Sequence, residues 1–172
     1  MALTKVRGDG VQGMSLLSTS TALTLDANGH ITKPLQSAFN AYANTQSNIA
    51  VGSNVNITFE NERFDQNGDF DGTSTFTAPV TGRYQFNASI YLNTIDQASG
   101  YYYLELNTSN ENYYNIFATG NFTGDPDFWT LTLSHIVDMD AGDTAKCRVL
   151  QSHGTAQTDV NANAFFSGYL VA

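Results

Sequence analysis

One long alternating segment constrains the fold of this chain more than any other feature. Between positions 82 and 93, apolar residues occupy every second position, and polar residues fill most of the others. The apolar residues are Tyr84, Phe86, Ala88, Ile90 and Leu92. A period of two with a single apolar face is typical of a half-buried β-strand. Pro79 and Gly82 break the chain just before it, so the segment from Phe76 onward predicts strand, turn, strand.

The remainder of the chain repeats this pattern in shorter segments. A first strand or a short turn is expected at 35–42, and two strands are expected between Ile49 and Phe59, with a bulge or turn at 52–54. Further strands are predicted at 74–78, 82–93, 100–108, 112–118, 129–137, 145–151 and 163–171. About ten short strands without a convincing long helix predict an all-β protein, an antiparallel sandwich of two sheets.

Composition limits the class of partner. The 172 residues suffice for one well-cored domain plus an arm, and 41% of them are hydrophobic while only 13% are charged. Residues 1–36 carry a net charge of +1 and residues 37–172 carry −10. The acidic head has no basic stripe, so we expect no nucleic-acid partner. No long apolar run follows Met1, so we expect neither a signal peptide nor insertion into a membrane.

The first 36 residues predict an arm rather than part of the core. They are rich in Gly, Ser and Thr, and residues 22–31 predict a small hairpin in which Asn28-Gly29 supplies positive φ at the turn. We therefore divide the chain into an arm, 1–36, and a head, 37–172. The basic and apolar residues of the arm are the candidates for anchoring it to a neighbouring protein, although so few basic residues can equally carry no function. These candidates are Lys5, Arg7, Leu23, Leu25 and Ile31.

The spacing of Phe59, Asp65, Phe70 and Phe76 ahead of Gly82-Arg-Tyr-Gln-Phe86 resembles the signature of the C1q/tumour-necrosis-factor-like jelly rolls. The turn at 138–146 and the strand at 165–171 are also similar to stretches of that family. The similarity covers residues 37–172. Two departures are a Phe70–Phe76 gap one residue short and an alanine, Ala88, where an aromatic is usual.

This resemblance implies a ten-stranded jelly roll that assembles as a homotrimer and acts as a display module, not as an enzyme. The first and last strands would lie side by side near the three-fold axis. The last strand is apolar on both faces, which is consistent with cover by a sister subunit. The expected core and trimer packing residues are Phe59, Phe76, Gly82, Tyr84, Phe86, Phe166, Gly168, Tyr169 and Leu170.

The arm is similar to the openings of bacteriophage fibre and virion surface proteins. This resemblance leads us to expect a virion structural protein on the capsid exterior. It would be a trimeric decoration or cement protein whose arm binds the major capsid protein. One alternative is the receptor-binding tip of a tail or capsid fibre, with Tyr101, Tyr103 and Tyr114 touching a host glycan. Another is a secreted C1q-like lectin or ligand.

The aromatic-rich region around these tyrosines has two interpretations. It comprises Tyr101–Tyr103, Tyr113-Tyr114, Phe122, Phe128 and Trp129. Exposed rings could stack on sugars or pack at a protein interface. Alternatively, alternate rings fill the core and the others pack against a sister subunit.

Catalytic and metal-binding chemistry have weak candidates only. Asp65, Asn67, Asp69 and Asp71 alternate oxygen ligands, but the glycine and glutamate of an EF-hand loop are missing. A looser Ca²⁺ site or a solvated turn both remain open, and no other cofactor is expected. The histidines, His30, His135 and His153, share no metal-ligand spacing. The lone Cys147 alternates with charged residues and should face the core of a strand, so we expect no catalytic thiol.

Overall fold

A computed structural model describes residues 23–172. The chain divides into two compact units, Met1–Leu35 and Gln36–Ala172. The anchoring candidates Lys5 and Arg7 lie outside the described residues. Between residues 23 and 172 the only helical segment is a 3₁₀ turn at Gln97–Ser99. No helix in that range is long and apolar enough to cross a membrane.

The described part of the first unit contains a hairpin at the predicted place. Strand β1 (Thr24–Leu25) pairs antiparallel with β2 (Ile31–Thr32). The connection is longer than the two residues of a tight hairpin, and of the expected Asn28-Gly29 pair only Gly29 has positive φ, +87°. The carboxylate of Asp26 accepts hydrogen bonds from the backbone N–H groups of Asn28 and His30, which closes the longer loop without a second left-handed residue.

The second unit is a sandwich of two antiparallel sheets. Its strands are β3 (Ala38–Tyr42), β4 (Val55–Asn56), β5 (Asn61–Asp65), β6 (Thr75–Thr77), β7 (Gly82–Asn93), β8 (Tyr101–Thr108), β9 (Asn112–Ala118), β10 (Phe128–Met139), β11 (Thr144–Gln151), β12 (Asp159–Val160) and β13 (Phe165–Leu170). The first sheet has the order β10-β7-β13-β3-β5, and β12 also pairs with β7. The second sheet has the order β4-β11-β8-β9, and β6 also pairs with β11. The second unit therefore has eleven strands, two of which, β4 and β12, contain only two residues each, and the sequence predicted about ten.

Strand β5 was not expected from the sequence. It pairs with β3 at the edge of the first sheet, with a register shift between Asn40 and Ala41. Four of its five residues are exposed, so it carries no alternating apolar face that a sequence pattern could reveal. An exposed edge strand needs only backbone pairing on one side, and polar residues satisfy that requirement.

Aromatic rings in mutual contact form the centre of the core. The ring of Phe166 lies 5.0 Å from that of Phe39, 5.7 Å from that of Phe59 and 5.6 Å from that of Phe86. Gly168 makes room for this cluster, because a Cβ at this position would lie 2.6 Å from Cδ1 of Phe86. The core therefore fixes which residues of β3, β7 and β13 point inward, and the alternate residues of these strands face away from it.

Candidate binding surfaces

Twelve neighbouring outward residues on four strands of the first sheet are uncharged, and charged residues border them: Arg83 and Asp138 form the next row, and the guanidinium of Arg63 lies 4.9 Å from the ring centroid of Tyr42. Three adjacent rows of cross-strand neighbours on β3, β13, β7 and β10 form this surface, which we call the first-sheet face. Its rows are Tyr42, Phe165, Ser89 and Thr132; Asn40, Ser167, Asn87 and Ser134; and Ala38, Tyr169, Gln85 and Ile136. Two of its apolar members are half open to solvent, Tyr169 at 47% and Ile136 at 53%.

Amides and hydroxyls form the centre of the first-sheet face. The amide of Gln85 donates to the hydroxyl of Ser134 at 3.0 Å, and Ser134 donates to Oδ1 of Asn87 at 2.9 Å. The side-chain oxygen of Asn40 is buried and has no hydrogen-bond partner within residues 23–172. A buried oxygen without a partner is destabilising, so this face of a single chain is incompletely satisfied.

The residues expected to pack the core and the trimer fall into two groups. Phe59, Phe76, Tyr84, Phe86 and Phe166 are fully buried within the sandwich. Of the remaining four, Gly168, Tyr169 and Leu170 belong to the last strand, which pairs with β7, and Gly82 begins β7. Gly168 is buried, Gly82 is half-buried, Leu170 packs partly against the core and Tyr169 faces outward. A role of any of them between subunits stays a prediction.

The outward side of the second sheet carries a different surface. We call it the second-sheet face. Its rows on β11, β8 and β9 are Leu150, Tyr103 and Ile116; Arg148, Glu105 and Tyr114; and Lys146, Asn107 and Asn112, with Tyr101 and Ala118 at one end. Tyr101, Tyr103, Tyr114 and Ile116 line a shallow groove on it. Thus the three tyrosines predicted to contact a receptor lie together.

The rings of the groove are held in fixed orientations. Tyr103 lies edge-on to Tyr114, with ring centroids 5.2 Å apart and an interplanar angle of 79°. The hydroxyl of Tyr103 donates to Oδ1 of Asn54, and that of Tyr114 donates to Oε1 of Glu105 at 3.0 Å. Tyr114 is nevertheless 49% exposed and Tyr101 is 40% exposed. The rings are therefore both ordered and accessible in a single chain.

A buried ion pair lies beside these rings. Glu105 is only 1% exposed, and its carboxylate receives hydrogen bonds from Nε and Nη2 of Arg148 at 2.7 and 2.8 Å. Burial and the hydrogen bond to this carboxylate raise the pKa of Tyr114. The Tyr114 hydroxyl is the donor of that hydrogen bond. The bidentate geometry fixes the carboxylate under the groove.

Sequence reasoning missed Glu105, Arg148 and Ile116. Glu105 is the only charged residue of β8, and the alternation of that strand could have singled it out. Its partner, however, lies 43 residues further along the chain, so the pair itself depends on the register of β8 and β11.

The remaining aromatic candidates lie elsewhere. Tyr102 is fully buried in the core. The rings of Phe117 and Phe122 pack on Trp129, with centroids 4.6 and 5.5 Å away, where the edge strands β9 and β10 of the two sheets approach each other. Phe128 is 60% exposed on the outward side of β10. The aromatic-rich region thus combines core rings, edge rings and groove rings.

The candidates for metal binding or catalysis do not assemble into a site within residues 23–172. The Asp65 carboxylate accepts hydrogen bonds from the backbone N–H groups of Gly68, Asp69 and Phe70, and that of Asp71 similarly caps the next turn. No group of three or more His, Cys, Asp or Glu that could hold a metal ion occurs in this range. Cys147 is buried, and burial raises the pKa of its thiol far above the ordinary value.

The family profile of the C1q domain matches residues 38–171. The chain belongs to the C1q domain family. No curated protein sequence matches it. The match lies within the head, so the similarity of residues 1–36 to bacteriophage proteins stays a prediction.

Solved structures of C1q-like and related domains share the fold. The globular domain of zebrafish complement 1qA protein superposes with a TM-score of 0.59 at 22% identity, covering 80% of this chain and 98% of that one. Two crystal structures of murine APRIL, at pH 8.5 and pH 8.0, give TM-scores of 0.56 and 0.57 at 7% and 8% identity, each covering 79% of this chain and 99% of the other. These likenesses confirm the predicted all-β jelly-roll sandwich.

Domains of the C1q and tumour-necrosis-factor-like class are typically non-enzymatic ligand or structural modules. They generally form homotrimers and bind ligands or receptors.

Proposed function

We propose that this C1q domain forms a homotrimer on the surface of a virus particle, as a decoration or cement protein. The observation that carries the self-association is the first-sheet face. It presents twelve adjacent side chains without one charge, although the head as a whole is strongly acidic. Depletion of charge at the centre, together with exposed aromatic and aliphatic side chains, is typical of protein–protein interfaces.

The position of Asn40 supports the same proposal. Its side-chain oxygen lies on the first-sheet face, buried and unpartnered within residues 23–172. A neighbouring copy that covers this face can bring a donor to it, since the face itself is rich in amides and hydroxyls. Tyr169 and Ile136 would lose their exposure in the same contact, and this apolar burial would favour association.

The location on a virion rests on the arm. From the sequence we expect a resemblance of residues 1–36 to the openings of bacteriophage fibre and virion surface proteins, and the net charge of +1 in these residues contrasts with −10 in the head. We propose that the arm attaches the trimer to the major capsid protein. A trimer that binds only the assembled lattice stabilises the shell by mass action. In the part of the arm that is described, Leu23 and Ile31 are exposed at 47% and 67%, available for such a contact.

Deletion of residues 1–35 tests the anchoring role. Gln36 stays in the variant because its side chain donates to the backbone oxygen of Leu170 in the head. We expect the truncated head to keep its β-sheet circular dichroism and its oligomeric mass but to lose binding to purified capsids. A truncated head that still decorates capsids would show that the arm does not anchor the protein.

A second candidate function is host attachment, as the tip of a tail or capsid fibre. The groove of the second-sheet face favours it, because hydrogen bonds hold the hydroxyls of Tyr103 and Tyr114 while Tyr101 and Tyr114 are exposed. Labelling the protein on purified particles separates the two functions. Regular density over the shell supports decoration, whereas a few copies at the tail or at fibre ends support attachment.

A further inference from the structure

We infer that the groove of the second-sheet face binds a carboxylated sugar of an acidic polysaccharide. This inference rests on the second candidate function, host attachment. It identifies the chemistry of the receptor from the rings of the groove, its hydrogen-bond donors and the charge of the face around it.

The rings provide an ordered platform for a pyranose. Tyr101 and Tyr103 lie with their planes 20° apart and their centroids 6.3 Å apart, and Tyr114 stands edge-on beside Tyr103. Sugar rings present C–H groups to aromatic side chains, and tyrosine adds a polar tip that can bind a hydroxyl. Because hydrogen bonds already hold Tyr103 and Tyr114, binding orders few additional rotamers.

The polar groups around the rings are suited to sugar hydroxyls and to an acid. Asn107 and Asn112 lie in the row next to Tyr114. Glu105 uses its carboxylate on Arg148 and on the Tyr114 hydroxyl, so it offers little negative charge to the solvent. The side chain of Arg148, in the same row as Tyr114, is 23% exposed.

The charge of the second-sheet face favours an acidic ligand over a neutral one. The eleven residues of the second-sheet face include one carboxylate, Glu105, and two cations, Lys146 and Arg148. Residues 37–172 contain only four Lys and Arg against fourteen Asp and Glu, so half of the cations of the head lie on this face. Glu105 and Arg148 neutralise each other in their ion pair, so these eleven residues keep a net charge of +1 from Lys146, against −10 for residues 37–172 as a whole. An anionic ligand is therefore favoured on this face over the rest of the head.

Calorimetric titration of the full chain with oligogalacturonate, oligomannuronate and an uncharged oligoglucan of equal length tests the inference. We expect both uronates to bind, the glucan to bind at least about tenfold more weakly, and uronate affinity to fall as salt rises. Tyr114→Ala and Lys146→Gln should each weaken uronate binding, by about tenfold and about threefold respectively.

Matched variants separate the groove from general effects. Lys33→Gln removes one positive charge outside the head, and Phe64→Ala removes an exposed ring, 53% accessible, from the first sheet. Neither should change uronate affinity. Tyr101→Ala is a second groove variant, and it should also weaken binding.

Three results would overturn the inference: no binding of either uronate, equal binding of the glucan, or uronate binding that the groove variants leave unchanged. Attachment itself is judged separately, by adsorption of particles that carry Tyr114→Ala. If adsorption falls while no uronate binds, attachment stands and the carboxylated receptor is wrong. If uronates bind and the groove variants adsorb normally, attachment through this groove is wrong.

Discussion

Both sheets supply buried side chains to the core, but they differ in what they present outward. The first-sheet face has no charge over twelve neighbouring positions, and the side chains of Gln85, Ser134 and Asn87 bond to one another on it. The second-sheet face buries a bidentate ion pair, Glu105–Arg148, beside ordered and exposed tyrosines. Alternation along the strands dictates the inward residues, so the outward residues are free to differ. On this difference rests our proposal that one face mediates self-association and the other binds a ligand.

The largest effect is expected from introducing a charge, which should disrupt the oligomer on the first-sheet face but not on the second-sheet face. Ser167→Arg places a guanidinium at the centre of the first-sheet face, where a copy of the chain would bury it without a partner. The cost is about 3–5 kcal/mol for each buried, unpaired charge, and a trimer repeats it three times. We expect the variant to sediment as a single folded chain.

Asn107→Arg is the matched control on the second sheet. Asn107 faces outward there and bonds only to the exposed Asn112. This variant should keep the mass of the unmodified protein. If both variants dissociate, or if neither does, the two faces do not differ in the way proposed.

The ion pairs of the two sheets differ in burial, so breaking them should change the free energy of unfolding by different amounts. Glu105→Ala leaves Arg148 largely buried without its carboxylate and should lower the free energy of unfolding by about 2–3 kcal/mol. Asp138→Ala breaks the pair with Arg83 on the first sheet, but these side chains are 82% and 66% exposed. Its effect should stay below about 1 kcal/mol. Urea denaturation measures both, and equal losses would contradict the burial of the Glu105 pair.

A smaller effect is expected at low pH. Burial opposes ionisation of Asp71, but hydrogen bonds from the N–H groups of Thr75, Ser74 and Thr73 outweigh it and lower its pKa below 3.8. Because the folded pKa is depressed, the stabilisation is present above the unfolded pKa and is lost as pH falls through the folded value. The side chain is mostly solvated, so we expect roughly 0.5 kcal/mol. The stability difference between the protein and Asp71→Asn should shrink below pH 4; a constant difference would contradict this.

The sequence predicted strands that have one apolar and one polar side, because such strands alternate visibly. Strand β7 occupies Gly82–Asn93 as its alternation indicated, and β9 occupies the predicted 112–118. Strand β5 was missed because its residues are exposed and its pairing is purely backbone. His135 lies on the same side of β10 as the buried Val137, but it is exposed. The opposite sheet ends at its edge strand β9. The sequence pattern does not reveal where that sheet ends.

The sequence predicted the tyrosines of the candidate site but not the ion pair beside them. The cluster of tyrosines at 101–103 and 113–114 is visible in the sequence, and alternation separates the buried Tyr102 from its neighbours. The role of Glu105 was not predictable, because its burial depends on Arg148 from another strand. The uncharged first-sheet face likewise appears only when the register aligns four strands that are distant in sequence.

Hydroxyl-radical footprinting of the full chain tests the contrast between the faces most directly. Tyr169 and Tyr114 are nearly equally exposed in a single chain, 47% and 49%, and they have the same intrinsic reactivity as tyrosines. If copies of the chain meet at the first-sheet face, Tyr169 should be protected several-fold relative to Tyr114, and dilution below the dissociation point should abolish that protection. Equal modification of both tyrosines at high protein concentration would contradict the assignment of self-association to the first-sheet face.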